Sequence, residues 1–426
     1  MKSIELLSPA GTLKSMRHAF AFGADAVYAG QPRYSLRVRN NEFTMENLRT
    51  GINEAHMQGK KFFVASNLLP HNAKLKTYMK DMEPIIEMAP DALIMADPGL
   101  IHMVRERWPE MTIHLSVQAN TMNSAAVKFW KSIGIERVIL SRELSLDEVA
   151  EIRQDCPDME LEVFVHGALC IAYSGRCLLS GYMNHRDPNQ GTCTNACRWD
   201  YKVHQTETTD TGDVRLHRPD TQVMMLEEPK RPDEPMPIYE DEHGTYIMNS
   251  KDLRAVQHVW RLAEIGVDSL KIEGRTKSPY YVARTAQIYR RAIDDAVAGK
   301  PFDKNLMVEL DGLANRGYTE GFYRRHVPED YQNYQTGSSV SSEQLFVAEM
   351  LEYDEATGKA KFDIKNRLEV GDTVVMLTPG GNTQFVLHHM EDTWGKPVTE
   401  APGSGYQICI HLPHPPGDLA LLVKEL

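Results

Sequence analysis

Four cysteines, Cys170, Cys177, Cys193 and Cys197, fall within 28 residues of a 426-residue chain that holds only two others. Their spacing, C-x6-C-x15-C-x3-C, lies in a stretch rich in Gly, Asn and Asp, where a backbone can wrap an ion or a cluster. Four converging thiolates are the usual protein ligands of a 4Fe–4S cluster. They would also suit a structural zinc, which takes four tetrahedral sulfurs. Zinc modules pair their cysteines more closely than Cys170 and Cys177, so iron–sulfur is the leading reading, with zinc second and unliganded redox cysteines third. A secretory segment is not visible, which disfavours disulfides. Cys156 and Cys409 sit in helix-like and strand-like runs and are expected to be small buried hydrophobes.

Other polar residues gain meaning only from the elements that hold them. From residue 4 to about 298, apolar β-rich runs alternate with amphipathic helical patterns. Eight runs read as strands: Ile4–Leu7, Ala26–Ala29, Lys61–Ser66, Ala92–Ala96, Thr112–Val117, Arg137–Leu140, Leu161–Val165 and Ser269–Ile272. Helical patterns such as Met45–His56, Leu75–Met88, Ala125–Ile133, Leu146–Ile152 and Lys251–Ile265 separate them. Continuous apolar strands alternating with helices mean parallel β buried on both faces, and eight units are what an α/β (β/α)8 TIM-type barrel requires. No G-x-G-x-x-G turn follows the first strand, so a doubly wound sheet has less support.

We therefore expect a barrel over residues 1–300, with a Cys-bearing insertion at about 167–247 after strand seven. The second half of that insertion, Gln205–His243, is polar, Pro-rich and acidic. A linker follows at 301–340, and 341–426 reads as a small antiparallel all-β domain with turns such as Pro379-Gly380-Gly381-Asn382.

In such a barrel, polar residues at strand C-termini reach the mouth where active sites lie. Those positions are Ser8, Gln31, Asn67, Asp97, Gln118, Asn120, Arg142, Glu143, His166, Glu273 and Arg275, a set able to grip a small acidic molecule. Ser8 and Asp97 read as helix caps. His166, four residues before Cys170, is a candidate proton donor or core histidine. Lys271, Glu273 and Arg275 alternate, so all three face one side. Arginine interleaved with tyrosine occurs in the Arg33, Arg37, Arg39 loop and in the Arg284, Arg290, Arg291 helix. A third basic group is Arg324, Arg325 and His326. The loop is the better RNA or anion candidate, whereas a solvated face explains the helix equally well.

Net charge is −12, which argues against coating nucleic acid through the whole-molecule field but allows a local basic groove. No run of 18 apolar residues is present, so no membrane span is expected, and a cytoplasmic location follows. H-E-x-x-H, G-x-S-x-G, Walker A and C-x3-C-x2-C motifs are all missing.

The run Glu162-Val-Phe164-Val-His-Gly167-Ala168-Leu169-Cys170, continuing to Gly175-Arg-Cys177-Leu-Leu179-Ser180, resembles the signature of the peptidase U32 family at every fixed position. ELLSPAGTLK, GADAVYAGQPRYSLRVRNNEF, HLSVQAN, RDPNQGTCTNACRW, NSKDLRA and SLKIEGRTKS are similar to its branch of prephenate-dependent tRNA uridine-34 hydroxylases. The Gln205–His243 excursion is shorter than that branch leads one to expect. The resemblance implies a barrel carrying an oxygen-sensitive 4Fe–4S cluster on Cys170, Cys177, Cys193 and Cys197. It also implies oxygen-independent hydroxylation of the wobble uridine at C5, giving 5-hydroxyuridine, with prephenate as oxygen source. The expected partners are the tRNA anticodon loop, prephenate and an electron donor that the sequence does not mark. Nothing marks an oligomer either.

On this reading Arg37, Arg39, Gln118, Asn120, Lys271 and Arg275 bind substrate, with Arg37, Arg39 and Arg275 on the prephenate carboxylates. His166 and Glu273 are the proton-transfer candidates, and the C-terminal domain grips the tRNA backbone. The alternatives are a U32-type peptidase or hydrolase, for which the chain shows no machinery, and a cluster-bearing scaffold subunit of another hydroxylase.

Overall fold

Short β-branched and aromatic runs flanked by capping residues set the local structure. The computed structural model describes residues 2–36, 42–169, 173, 176, 251–315, 317–324 and 344–425, with the strand backbones 205–208, 214–217, 224–228, 231–241 and 244–246. Its barrel strands are β1 Glu5–Pro9, β2 Ala26–Gly30, β3 Lys61–Ser66, β4 Ala92–Met95, β5 Ile113–Leu115, β6 Arg137–Ile139, β7 Glu160–Ala168 and β8 Ser269–Ile272. Each is parallel to the next, and β8 pairs with both β7 and β1, closing the sheet.

The helices that follow these strands in turn are α1 Leu13–Ala21, α2 Met45–Met57, α3 Asn72–Ile86, α4 Pro98–Arg107, α5 Ser124–Ser132, α6 Leu146–Asp155, α7 Val259–Ile265 and α8 Pro279–Val297. Thr12, Thr44, Asp97, Asn123, Ser145 and Ser278 each cap a helix at the strand-to-helix turn, so the mouth loops end in fixed entries. The (β/α)8 architecture read from the sequence is the one observed.

Three local expectations need correction. Ser8 is not a cap: Thr12 caps α1. Its neighbour Leu7 pairs with inward-facing Lys271, so alternation turns Ser8 toward the helices. The helix expected from Lys251 starts only at Val259, because Asp252–Arg254 forms a short strand antiparallel to β7, pairing Asp252 with Ala168. Cys156 is buried as expected, but Cys409 is only half-buried on its strand.

Residues 344–425 form an eight-stranded sheet with a core around Phe362, Ile364, Val374, Met376, Ile408 and Leu422. It docks on the barrel through Leu377, Leu421 and Val423, which join the barrel core. Tyr280 stacks on Phe346 at 4.7 Å, and Gln287 donates to the Thr378 carbonyl at 3.1 Å. Among the described residues no helix is long and apolar enough to cross a membrane.

Candidate active site at the barrel mouth

Charge sits inside this barrel, and pairing makes it tolerable. Glu162 is fully buried on β7. It accepts from Lys271 Nζ at 2.8 Å and from the Arg137 guanidinium at 3.1 Å. Arg137 also donates to Glu5 at 2.5 Å and to Glu160 at 2.8 Å. A buried charge without such partners would be costly. Burial alone would push Arg137 down, yet Glu162 and Glu5 together raise it above the ordinary guanidinium value. For Lys271 burial wins over Glu162, and its pKa falls below the usual lysine value. The ammonium also lies 4.3 Å from the centre of the Tyr28 ring, a cation–π contact. His114, buried beside Arg137, is driven well below its normal pKa by desolvation and by that cation, and so is neutral.

Lys271 forms part of the floor of a cavity at the C-terminal ends of the strands, with Tyr28, Gln118, Arg142, Glu273 and Arg275 around it. The Arg142 guanidinium carbon stands 3.8 Å from the centre of the Phe164 ring, and the group donates to Glu273 Oε2 at 2.9 Å and to the Ala168 carbonyl at 2.9 Å. Arg275 donates to the Leu36 carbonyl at 2.7 Å. The wall therefore presents three cations, two of them already held by Glu162 and Glu273, and its guanidinium groups allow fork-like recognition of carboxylates.

Close packing of β7 against the end of β8 shapes the rim. Gly167 has φ +105°, and a Cβ there would stand 2.5 Å from the Glu273 carbonyl oxygen. Gly274 has φ +148°, and its Cβ would meet the Tyr281 ring at 2.7 Å. The Glu273 backbone is clamped on both sides: its N–H donates to the His166 carbonyl at 2.8 Å, and its own carbonyl accepts from Tyr281 Oη at 2.9 Å.

The structure brings Gln118, Lys271, Glu273 and Arg275 onto one cavity, and leaves two expected members out of it. His166 does not line it. A bulge in β7 pairs Phe164 with Lys271 but His166 with Ile272, so the side chain turns outward. There it packs among Tyr281, Tyr289 and Tyr318, at 5.4–5.8 Å between ring centres. Burial there pushes it down to about 3, so it is uncharged, and it is not part of the described cavity wall. Asn120 closes the 3-10 turn after β5 in a left-handed conformation, with Nδ2 donating to the Gln118 carbonyl. It is absent from the cavity wall.

Arg37, Arg39, Cys170, Cys177, Cys193 and Cys197 lie outside the described residues. The segment carrying the cysteines leaves the barrel after Ala168 and returns at Asp252, and those two residues pair, so both its roots stand at the mouth. The arginine helix is neutralised internally: Arg284 and Arg291 pair with Glu309, and Arg290 with Asp25 and Asp294.

Sequence reasoning missed Glu5, Tyr28, Arg137 and Phe164 and gave Glu162 no role beyond the signature. The available signal was a charged residue at the inward phase of an otherwise apolar strand, as in Arg137-Val-Ile and Leu161-Glu162-Val.

The family description "Peptidase family U32" matches residues 11–333, and "Peptidase family U32 C-terminal domain" matches 342–422. The chain is 62% identical to tRNA hydroxylation protein P of Escherichia coli K12, over 96% of this chain and 94% of the relative. The protein of that name from Haemophilus influenzae is 58% identical, over 99% and 96%. A Methanocaldococcus jannaschii relative named an uncharacterized protease is 34% identical, over 100% and 99%.

Proposed function

We propose that this chain, which belongs to the peptidase U32 family, is a tRNA-modifying enzyme that hydroxylates C5 of the wobble uridine 34 to give 5-hydroxyuridine. The observation that carries this reading is the 62% identity, running through both the barrel and the C-terminal sheet, to a protein named for tRNA hydroxylation. The mouth chemistry supports it. A cavity with Lys271, Arg142 and Arg275 around one carboxylate suits a dicarboxylate such as prephenate, the co-substrate of this proposal. Arg275 and Lys271 would hold one carboxylate, with Gln118 orienting the guest. Arg37 and Arg39 would reach the second from the loop after β2. Glu273, which touches the cavity, is the candidate to move a proton, and Arg142 holds it in place.

Cys170, Cys177, Cys193 and Cys197 would hold a 4Fe–4S cluster, which supplies one-electron redox chemistry when bound. Cys170 stands two residues beyond Ala168, whose carbonyl Arg142 fixes at the cavity wall. The target base would be splayed from its loop to reach the same mouth. On this reading the protein works in the cytoplasm beside tRNA, with a reducing partner for electrons.

The test is complementation of an E. coli strain lacking its 62%-identical relative, grown without oxygen, with nucleosides from its tRNA analysed by mass spectrometry. Restored 5-hydroxyuridine derivatives are expected. Their absence, with soluble and brown protein present, overturns the proposal, and peptide cleavage by metal-free protein would favour the protease reading instead.

A further inference from the structure

One side of the mouth carries a run of positive charge. Residues 71–80 contain no Asp or Glu but include Lys74, Lys76 and Lys80. All three lie on α3, with Lys76 and Lys80 exposed and His71 exposed just before the helix. Being four apart, Lys76 and Lys80 share one helix face about 6 Å from each other along the axis.

The loop after β2 docks beside them. Tyr34 Oη donates to Asp81 at 2.6 Å, and exposed Arg33 pairs with the same carboxylate at 2.5 Å. Tyr34 meets Tyr78 edge to face at 4.9 Å, which pins loop to helix. Asp81 is thus shared by Tyr34 and Arg33, and Glu83, further along α3, pairs with Arg107. The cluster is continuous with the cavity: Asn67 accepts from the Leu36 backbone N–H at 3.2 Å, and both residues line the cavity.

The C-terminal sheet domain has the opposite character. Residues 344–425 hold six Lys and Arg against twelve Asp and Glu, a net −6. A net negative domain disfavours phosphate contact through its overall field, so α3 is the better candidate for the RNA backbone.

Resting on the hydroxylase reading, we propose that the α3 face of Lys76 and Lys80, with Arg33 beside it, is the surface that holds the tRNA phosphate backbone while a base enters the mouth. Phosphate contacts position a nucleic acid without reading its sequence, which suits a rim whose cavity does the selecting.

The test uses the full chain, purified without oxygen, and a fluorescent anticodon stem-loop with uridine at the wobble position. Binding is followed by anisotropy between about 50 and 200 mM salt. Lys76→Gln with Lys80→Gln should weaken binding several-fold and reduce the slope of log K against log salt by about 0.7 for each phosphate no longer neutralised. Lys76→Arg with Lys80→Arg should keep both. Lys131→Gln, at the opposite end of the barrel, should change neither. An unchanged affinity and slope in the glutamine pair, a wild type that binds no RNA, or equal competition by polyglutamate would each overturn the proposal. Complementation keeps the two readings apart. Wild-type restoration of 5-hydroxyuridine alongside normal RNA binding by the glutamine pair sinks only the surface assignment. Failure of the wild type to restore it sinks the hydroxylase reading.

Discussion

Replacing Glu162 by Gln isolates the buried charge at the cavity floor. The carboxylate is 0% exposed and Lys271 only 3%. Glu162→Gln removes the ion pair with Lys271 while Arg137 keeps Glu5 and Glu160. Breaking a buried pair by neutralising one partner costs about 3–5 kcal/mol, since the other charge stays behind unpaired. The Tyr28 ring offsets part of this, about 2 kcal/mol for a desolvated cation–π contact, so a destabilisation of about 1–3 kcal/mol at pH 7 is expected.

The pH dependence gives the diagnostic sign. Lys271 already titrates below its unfolded value, because burial outweighs Glu162. In Glu162→Gln it falls further. Between its folded and unfolded pKa the unfolded chain binds the extra proton, so stability rises with pH, by at most about 1.4 kcal/mol per unit. The variant's deficit relative to wild type should therefore shrink wherever Lys271 is neutral in the variant but still charged in wild type, and should nowhere widen as pH rises. Urea unfolding of both proteins across neutral to alkaline pH measures it. A deficit that widens with pH, or a variant as stable as wild type, would refute the account of Lys271 as a desolvated cation held by Glu162. Lys271→Met in the Glu162→Gln background should recover stability, since the unpaired charge is then gone.

Three further outcomes follow, two from the geometry and one from the proposed cluster. Gly167→Ala, at φ +105° and 2.5 Å from the Glu273 carbonyl, should cost at least about 1–3 kcal/mol, read by thermal melting, and should lower activity by shifting the rim. His166→Phe should keep both the fold and the pH profile of tRNA hydroxylation, because the ring sits among tyrosines away from the cavity; a folded but inactive variant would restore a catalytic role. Cys170→Ser should abolish the brown colour of anaerobically purified protein and its activity together, and a coloured, active variant would exclude Cys170 as a ligand.

Much of the barrel was legible because parallel strands buried on both faces leave continuous apolar runs, and Lys61–Ser66 and Ser269–Ile272 match their predicted limits. Alternation also placed Lys271, Glu273 and Arg275 on one side correctly. What failed was whatever depends on a partner distant in sequence. The β7 bulge that turns His166 away is visible only once β8 lies beside it. Asp252–Arg254 looked helical because its strand partner is β7, more than 80 residues earlier. Arg137 opened one predicted strand and Glu162 lay inside another, and neither had a role until Glu5 and Lys271 closed the ring around them.

The overall charge of −12 and a tRNA substrate are compatible for a reason of range. At physiological ionic strength fields decay over about 8 Å, so a phosphate at α3 responds to Lys76, Lys80 and Arg33 and hardly to carboxylates farther away. Long-range steering is then absent, and association should be ordinary in rate rather than electrostatically accelerated. Affinity must come from contact at the rim and from the guest's fit in the cavity. The acidic sheet domain helps selectivity by leaving one approach open: a backbone that strays toward residues 344–425 meets like charge, whereas one that crosses α3 is led along Leu36 and Asn67 to Lys271.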